Sequence, residues 1–291
     1  MEPQNNEHLK KSAFGGMMWS MAERVCARLV SLVVSVVLAR ILMPEDYSLV
    51  SIVAIFFVLC NVFISGGLNT SLIQKKDADE LDYATVLWTT LAMAAVMYAG
   101  MFLCAPLISG LYGKPALIPV IRVMALTFFI NAFKSVLSAY TSSHLQFRKF
   151  FFSTIIGTVI SAFVGIFMAL RGFGAWALVA QEMTNSLIDT LVLFFTTRLK
   201  ISFRFSGQRL KSLFAFGSRN FLSSMLTVIY DQLTPLIVGL RFTTEDLAFY
   251  TKGKSFPELI NSTLSDTMAT VLFPVMAQVQ DSTDHIRGIT R

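Results

Sequence analysis

The stretch from Phe14 to Ile73, FGGMMWSMAERVCARLVSLVVSVVLARILMPEDYSLVSIVAIFFVLCNVFISGGLNTSLI, decides the fold class. It contains two apolar runs, Phe14–Leu42 and Tyr47–Ile73, parted only by the charged turn Met43–Asp46. A bilayer is crossed by roughly 18 to 20 apolar residues in a helix, and both runs exceed that length. Strands of a membrane barrel are much shorter and alternate in polarity, so helices are expected. The pattern continues through Ala84–Leu111, Leu117–Thr141, Phe151–Leu170, Ala175–Thr197, Leu213–Leu240 and Phe256–Val279, each bounded by charge, Pro or Gly. The chain therefore reads as an all-α polytopic membrane protein of about eight transmembrane helices. The expected organisation is a six-helix N-terminal lobe over 1–197, a basic linker over 198–212, and the first two helices of a second, incomplete lobe over 213–291.

Composition points the same way. Of 291 residues, 54% are hydrophobic and 14% are charged, whereas soluble domains carry roughly 25% charged residues. A larger core does not remove the need for a charged surface, so the solvent of most side chains is lipid. The net charge of +6 is read as basic loops on the cytoplasmic side rather than as a nucleic-acid surface. The polar opening and the long run that follows it do not fit a cleavable signal peptide. Cys26, Cys60 and Cys104 lie in three different runs and read as reduced apolar fillers. His8, His144 and His285 are far apart in polar stretches, so no metal site is expected.

Lys and Arg residues orient the chain. One set of loops gathers thirteen, among them Lys10, Lys75, Arg148, Lys149, Arg204 and Arg209, against six in the other set. The richer set is placed in the cytoplasm, with both ends of the chain. The outer loops Met43–Asp46, Tyr112–Ala116, Arg171–Gly174 and Arg241–Ser255 are too short to house a catalytic domain. In the inner loop Arg198–Lys211, arginines alternate with Phe203 and Phe205. It is either a surface lying on anionic lipid or a topology-setting linker.

An internal repeat is visible. Phe14-Gly15 is echoed by Phe216-Gly217, and ARILMPEDYSLV after the first span by GLRFTTEDLAFY after the seventh. Glu45-Asp46 and Glu245-Asp246 stand 200 residues apart, each just past a long helix. Repeated helix bundles of this kind are common in transporters.

These same residues carry a family resemblance. The segment ARILMPEDYSLVSIVAIFF, then SGGLNTSLIQKKD with its Leu-Ile-Gln-Lys exit at Leu72–Lys75, resembles the Wzx-type polysaccharide flippases. These belong to the multidrug/oligosaccharidyl-lipid/polysaccharide exporter superfamily. Further points of likeness are Phe147–Phe150, Gly172–Ala177 and the Asp231 region. The resemblance runs the length of the chain and is nearest the branch that exports lipopolysaccharide and exopolysaccharide units, including colanic-acid-type polymers. It implies a V-shaped pair of helical lobes around a central cavity. Through that cavity an undecaprenyl-diphosphate-linked oligosaccharide would pass from the inner to the outer leaflet of the bacterial inner membrane. It also implies membrane lipid as a partner and, in the same pathway, glycosyltransferases or a polymerase. No cofactor is implied. Family members have more spans than the eight runs here, so a truncated product or fragment is expected.

Carrying a lipid diphosphate requires cations and hydrogen-bonding groups in a wet cavity, and no bond need break. Accordingly no nucleotide-binding Gly-rich loop and no nucleophile–base pair stand out, and no catalytic residue is assigned. The sharpest constellation is Ser20, Arg24, Arg28, Ser31 and Ser35, which fall within an arc of roughly 80° on the first helix. Arg24, Arg28 and Ser31 are candidates to line the cavity, together with Lys134 of the fourth run. The alternative is that the arginines snorkel to the interface or pair with Glu23. Asp189, near Glu182 and Asn185, and Asp231, four residues before Pro235, are candidates for cation coupling; ion pairs with Lys134 or Arg219 are the structural alternative. Gly66-Gly67, Gly157 and Gly165 suit close helix packing or a hinge. Trp19, Trp88 and Trp176 read as interfacial anchors.

Three other functions compete. A cation-coupled multidrug antiporter would have much the same fold but favour acidic cavity residues. A polymerase or acyltransferase would want a large outer loop or a buried His, and neither is found. A non-transporting scaffold for glycan assembly is the third.

Overall fold

The computed structural model describes residues 3–254 apart from 66, 76, 198–202 and 244. Nine helices are bounded within them: α1 (Pro3–Ile41), α2 (Pro44–Ser65), α3 (Leu68–Gln74), α4 (Glu80–Tyr112), α5 (Leu117–Met124), α6 (Thr127–Ser143), α7 (Phe147–Leu170), α8 (Ala175–Thr197) and α9 (Gly207–Arg241). Residues 245–254 are also helical. The first seven apolar runs all lie on helices, and the eighth, Phe256–Val279, falls outside the described residues. Five segments are long and apolar enough to cross a membrane: Pro44–Ser65, Glu80–Tyr112, Leu117–Ser143, Phe147–Leu170 and Gly217–Arg241. The protein is thus a multi-pass helical membrane protein.

Local chemistry sets the breaks. The run Tyr47–Ile73 is divided between α2 and α3, with Gly67 at φ +70°, a conformation open to glycine at little cost. Leu117–Thr141 is likewise divided, into α5 and α6, by a turn at Ala125-Leu126. Asp79 caps α4 by accepting from the Asp82 N–H while Asp82 accepts in return from the Asp79 N–H, which satisfies two of the orphan donors of the first turn. The α7–α8 hairpin turns at Arg171–Gly174, where Gly172 and Gly174 both have positive φ. The expected outer loop Arg241–Ser255 is mostly helix instead. Thr243 Oγ1 accepts from the Asp246 N–H while Asp246 Oδ2 accepts from the Thr243 N–H, and this reciprocal cap starts a new helix almost at once.

Side chains left outside form apolar stripes. Leu103, Leu107 and Leu111 on α4, and Phe163, Phe167 and Leu170 on α7, are all more than half exposed. Such stripes at helical spacing are stable facing lipid and untenable facing water. The largest core cluster lies between α2, α4, α5 and α6, where the tilted rings of Phe57 and Phe128 pack with centroids 4.6 Å apart. Glycines let helices approach closely. A Cβ on Gly157 would sit 3.2 Å from the Asn185 carbonyl, and one on Gly165 would sit 3.0 Å from Gln181, so α7 and α8 are joined at two small-residue contacts.

Turns gather at two ends. At one, Lys114 Nζ donates to Ser48 Oγ at 3.0 Å, and Asp46 lies so near Gly174 that a Cβ there would be 2.7 Å from Oδ1. At the other, Arg209 pairs with Asp79 at 2.5 Å, the Ser206 N–H donates to Thr85 Oγ1 at 3.2 Å, and Tyr83 and Ser143 share a hydrogen bond. The inner and outer loop sets read from Lys and Arg are therefore also sets in space.

Candidate functional site

The polar stripe of α1 divides among three environments. Ser20 is buried at 1% exposure, with no partner for its hydroxyl among the described residues. One turn on, Glu23 accepts a hydrogen bond from Thr154 Oγ1 of α7 at 3.0 Å and lies within electrostatic reach of Arg24, Lys134 and Asp189. Arg28, Ser31 and Ser35 line a cleft of about 220 Å³, completed by Tyr47 of α2, Leu178 and Gln181 of α8, and Lys252 of the segment after α9. Arg24 is not among its lining residues.

Lys134 and Asp189 meet in an ion pair of 2.5 Å between α6 and α8. Asp189 is 4% exposed, so its charge has to be compensated by protein rather than by water. Glu182, two turns earlier on α8, also feels the Lys134 charge. Asn131, one turn before Lys134, donates to Asn61 Oδ1 on α2 at 3.1 Å and extends the polar seam. The structure thus brings Lys134 and Asp189 together and places Glu23 and Glu182 around them. It does not bring Asp231 to this cluster. Asp231 lies on an exposed face of α9, without an ion pair among the described residues.

Sequence reasoning did not single out Lys252. It was assigned to an outer loop, whereas it sits on helix beside α1, its Nζ donating to Ser35 Oγ at 3.1 Å and lying 4.6 Å from the Tyr47 ring centroid. The repeat held the signal. Shifted by 200, Lys252 maps onto Ile52, well inside α2, and so onto a helix rather than a loop.

The two lining cations lie far apart in the chain, Arg28 on α1 and Lys252 on the helix that follows α9. No carboxylate lines the cleft among the described residues. Two cations, two serine hydroxyls and an amide facing one space suit an anion bearing several acceptor oxygens. No three His, Cys, Asp or Glu side chains converge as metal ligands among the described residues.

The arrangement is that of a MATE-type membrane bundle. Crystal structures of MATE in complex with MaD5 and with Br-NRF match with TM-scores of 0.71 and 0.67. Each is 16% identical; both alignments cover 96% of this chain, and 69% and 71% of those chains. At this identity the likeness concerns the fold alone. The family described as polysaccharide biosynthesis protein matches residues 37–291, and the chain belongs to it. Among its relatives are the succinoglycan biosynthesis transport protein ExoT of Rhizobium meliloti (strain 1021), 27% identical over 90% of this chain and 53% of ExoT, and the lipopolysaccharide biosynthesis protein WzxC of Escherichia coli (strain K12), 23% identical over 96% and 57%. The teichuronic acid biosynthesis protein TuaB of Bacillus subtilis (strain 168) is 20% identical over 93% and 56%. The chain spans just over half the length of these curated relatives.

Proposed function

We propose that this protein is the lipid-linked glycan carrier, or a part of one, for a bacterial surface polysaccharide. It moves undecaprenyl-diphosphate-linked oligosaccharide units across the inner membrane, with its N-terminus in the cytoplasm, and catalyses no bond chemistry. Glycosyltransferases or a polymerase supply and consume the unit. What carries this reading is the cleft at Arg28, where cations from α1 and the helix after α9 face one space that no described carboxylate lines. A guanidinium in a bilayer costs at least about 2.5 kcal/mol at the helix centre, so its position on a polar, concave surface favours an anionic cargo. Relatives named for succinoglycan transport and lipopolysaccharide biosynthesis support the same cargo class.

The test is deletion of the gene in its host, followed by complementation. Deletion should reduce surface polysaccharide and accumulate the lipid-linked unit, the native gene should restore both, and Arg28→Ala should not. Full restoration by Arg28→Ala would remove the cationic cleft from the mechanism. A cation-coupled drug antiporter is the second reading, favoured by the acidic groups Glu23, Glu182 and Asp189 around Lys134. It requires altered drug susceptibility on deletion, with no build-up of lipid-linked sugar.

A further inference from the structure

The repeat of 200 residues has a physical counterpart. Helix α1 ends at Ile41 and α9 at Arg241. Two residues later, the Met43 N–H donates to Asp46 Oδ2 at 3.1 Å, and the Thr243 N–H donates to Asp246 Oδ2 at 3.0 Å. Equivalent positions are thus folded alike. Five residues further on, Ser51 and Thr251, themselves equivalent, share a hydrogen bond of 3.2 Å between their hydroxyls. Two matched positions of a repeat meet each other only where the axis relating the repeats passes, as in an isologous contact. The second repeat therefore closes on the first at this point, near the 43–46 end of the bundle.

Lys252 follows immediately. Its counterpart Ile52 is completely buried in the apolar core. Across the axis, then, the same position packs with a hydrocarbon side chain, so packing does not call for a charge at 252. Lys252 is an exposed residue, so its ammonium can turn between neighbouring acceptors. Here it does two things at once. It ties the second repeat to α1 and α2 through Ser35 and Tyr47, and it faces the cleft that Arg28 lines.

We propose that Lys252 is a ligand-responsive latch. Bound to Ser35 and Tyr47, it holds the 43–46 end shut. When a phosphate group lodges beside Arg28, the ammonium transfers to a phosphate oxygen, because an anionic acceptor adds a Coulomb attraction that a neutral hydroxyl lacks. The second repeat then leaves α1, and the Ser51–Thr251 contact opens. This rests on the reading of the cleft as a site for a diphosphate group.

The experiment uses the 291-residue chain in membrane vesicles, with Cys26, Cys60 and Cys104 changed to Ser and the pair Ser51→Cys/Thr251→Cys introduced. Disulfide yield is measured in inorganic pyrophosphate and in chloride at matched ionic strength. Pyrophosphate should lower the yield by about half, as a tenfold preference for the open state does to an equilibrium that starts about ten to one closed. Lys252→Met should abolish the response and Lys252→Arg should keep it, with protein levels in the membrane confirming that each variant inserts. A yield unchanged by pyrophosphate with Lys252 present, or lowered equally in Lys252→Met, overturns the latch. So does a cysteine pair that fails to cross-link in chloride. The carrier reading is judged separately: if Arg28→Ala blocks glycan export while pyrophosphate leaves the cross-link unchanged, the carrier stands and the latch falls.

Discussion

Asp189 shows how one buried charge organises its neighbours. Its carboxylate meets Lys134 at 2.5 Å across α6 and α8 while Glu23 and Glu182 stand in reach of the same ammonium. Removing one member of a buried pair is worse than removing both, because the survivor is left unpaired in a poor solvent. Because the Lys134 side chain is 37% exposed, Lys134→Met should lower stability by about 1–2 kcal/mol, and Lys134→Met with Asp189→Leu should recover most of that loss. Thermal unfolding in detergent measures both; equal losses in the single and double variants would show that the pair does not act as a unit. The spacing of Asp189, Glu182 and Asn185 was legible in the sequence. The sequence offered Lys134 and Arg219 as ion-pair partners, and packing of α6 against α8 brings Lys134 to Asp189.

Among the elements, α9 depends on backbone contact. A Cβ on Gly67 would lie 2.2 Å from the Gly217 carbonyl oxygen, and one on Gly217 would lie 2.7 Å from Ser71 Oγ, which itself donates to the Leu213 carbonyl at 2.9 Å. Gly217→Ala should force α9 off α3 and lower stability by about 1–3 kcal/mol, and Gly67→Ala should cost more because its φ is also positive. The preceding segment is tied down by charge. Arg209 contacts Asp79 and Asp82, and Lys75 contacts Asp82. The hydrogen bond from Arg209 holds the Asp79 carboxyl down to about 2, from an ordinary 3.8. A depressed carboxylate stabilises the folded form fully above its unfolded value and loses that effect as pH falls through the folded one. The tie should thus weaken as pH drops from about 4 to about 2, seen as faster proteolysis at 203–206, and Asp79→Asn should be cleaved readily already at neutral pH. Cleavage of Asp79→Asn that matched the native protein at neutral pH would mean the tie contributes little.

For the whole molecule, the repeat and its axis make a prediction about motion. If the lobes exchange between two closed ends, oxidising the Ser51→Cys/Thr251→Cys pair should stop glycan export and reduction should restore it. Export that continued in the oxidised state would mean that the 43–46 end need not open. α9 also leaves large apolar side chains exposed, among them Leu222, Leu226, Ile237 and Leu240.

The helical character of the first seven runs, the two sets of loops and the 200-residue period were legible in the sequence alone, because hydropathy, turn chemistry and basic residues act locally along the chain; the splitting of the second and fourth runs into α2–α3 and α5–α6 was not. The division of the α1 stripe was decided only by tertiary structure. Helical spacing puts Ser20, Arg24, Arg28, Ser31 and Ser35 on one face, but which neighbour each turn meets depends on how far α7, α8 and the second repeat extend along that face. For the same reason Lys252 became visible as a partner of Ser35 only in space: 217 residues separate them in the chain, and no local rule reaches that far.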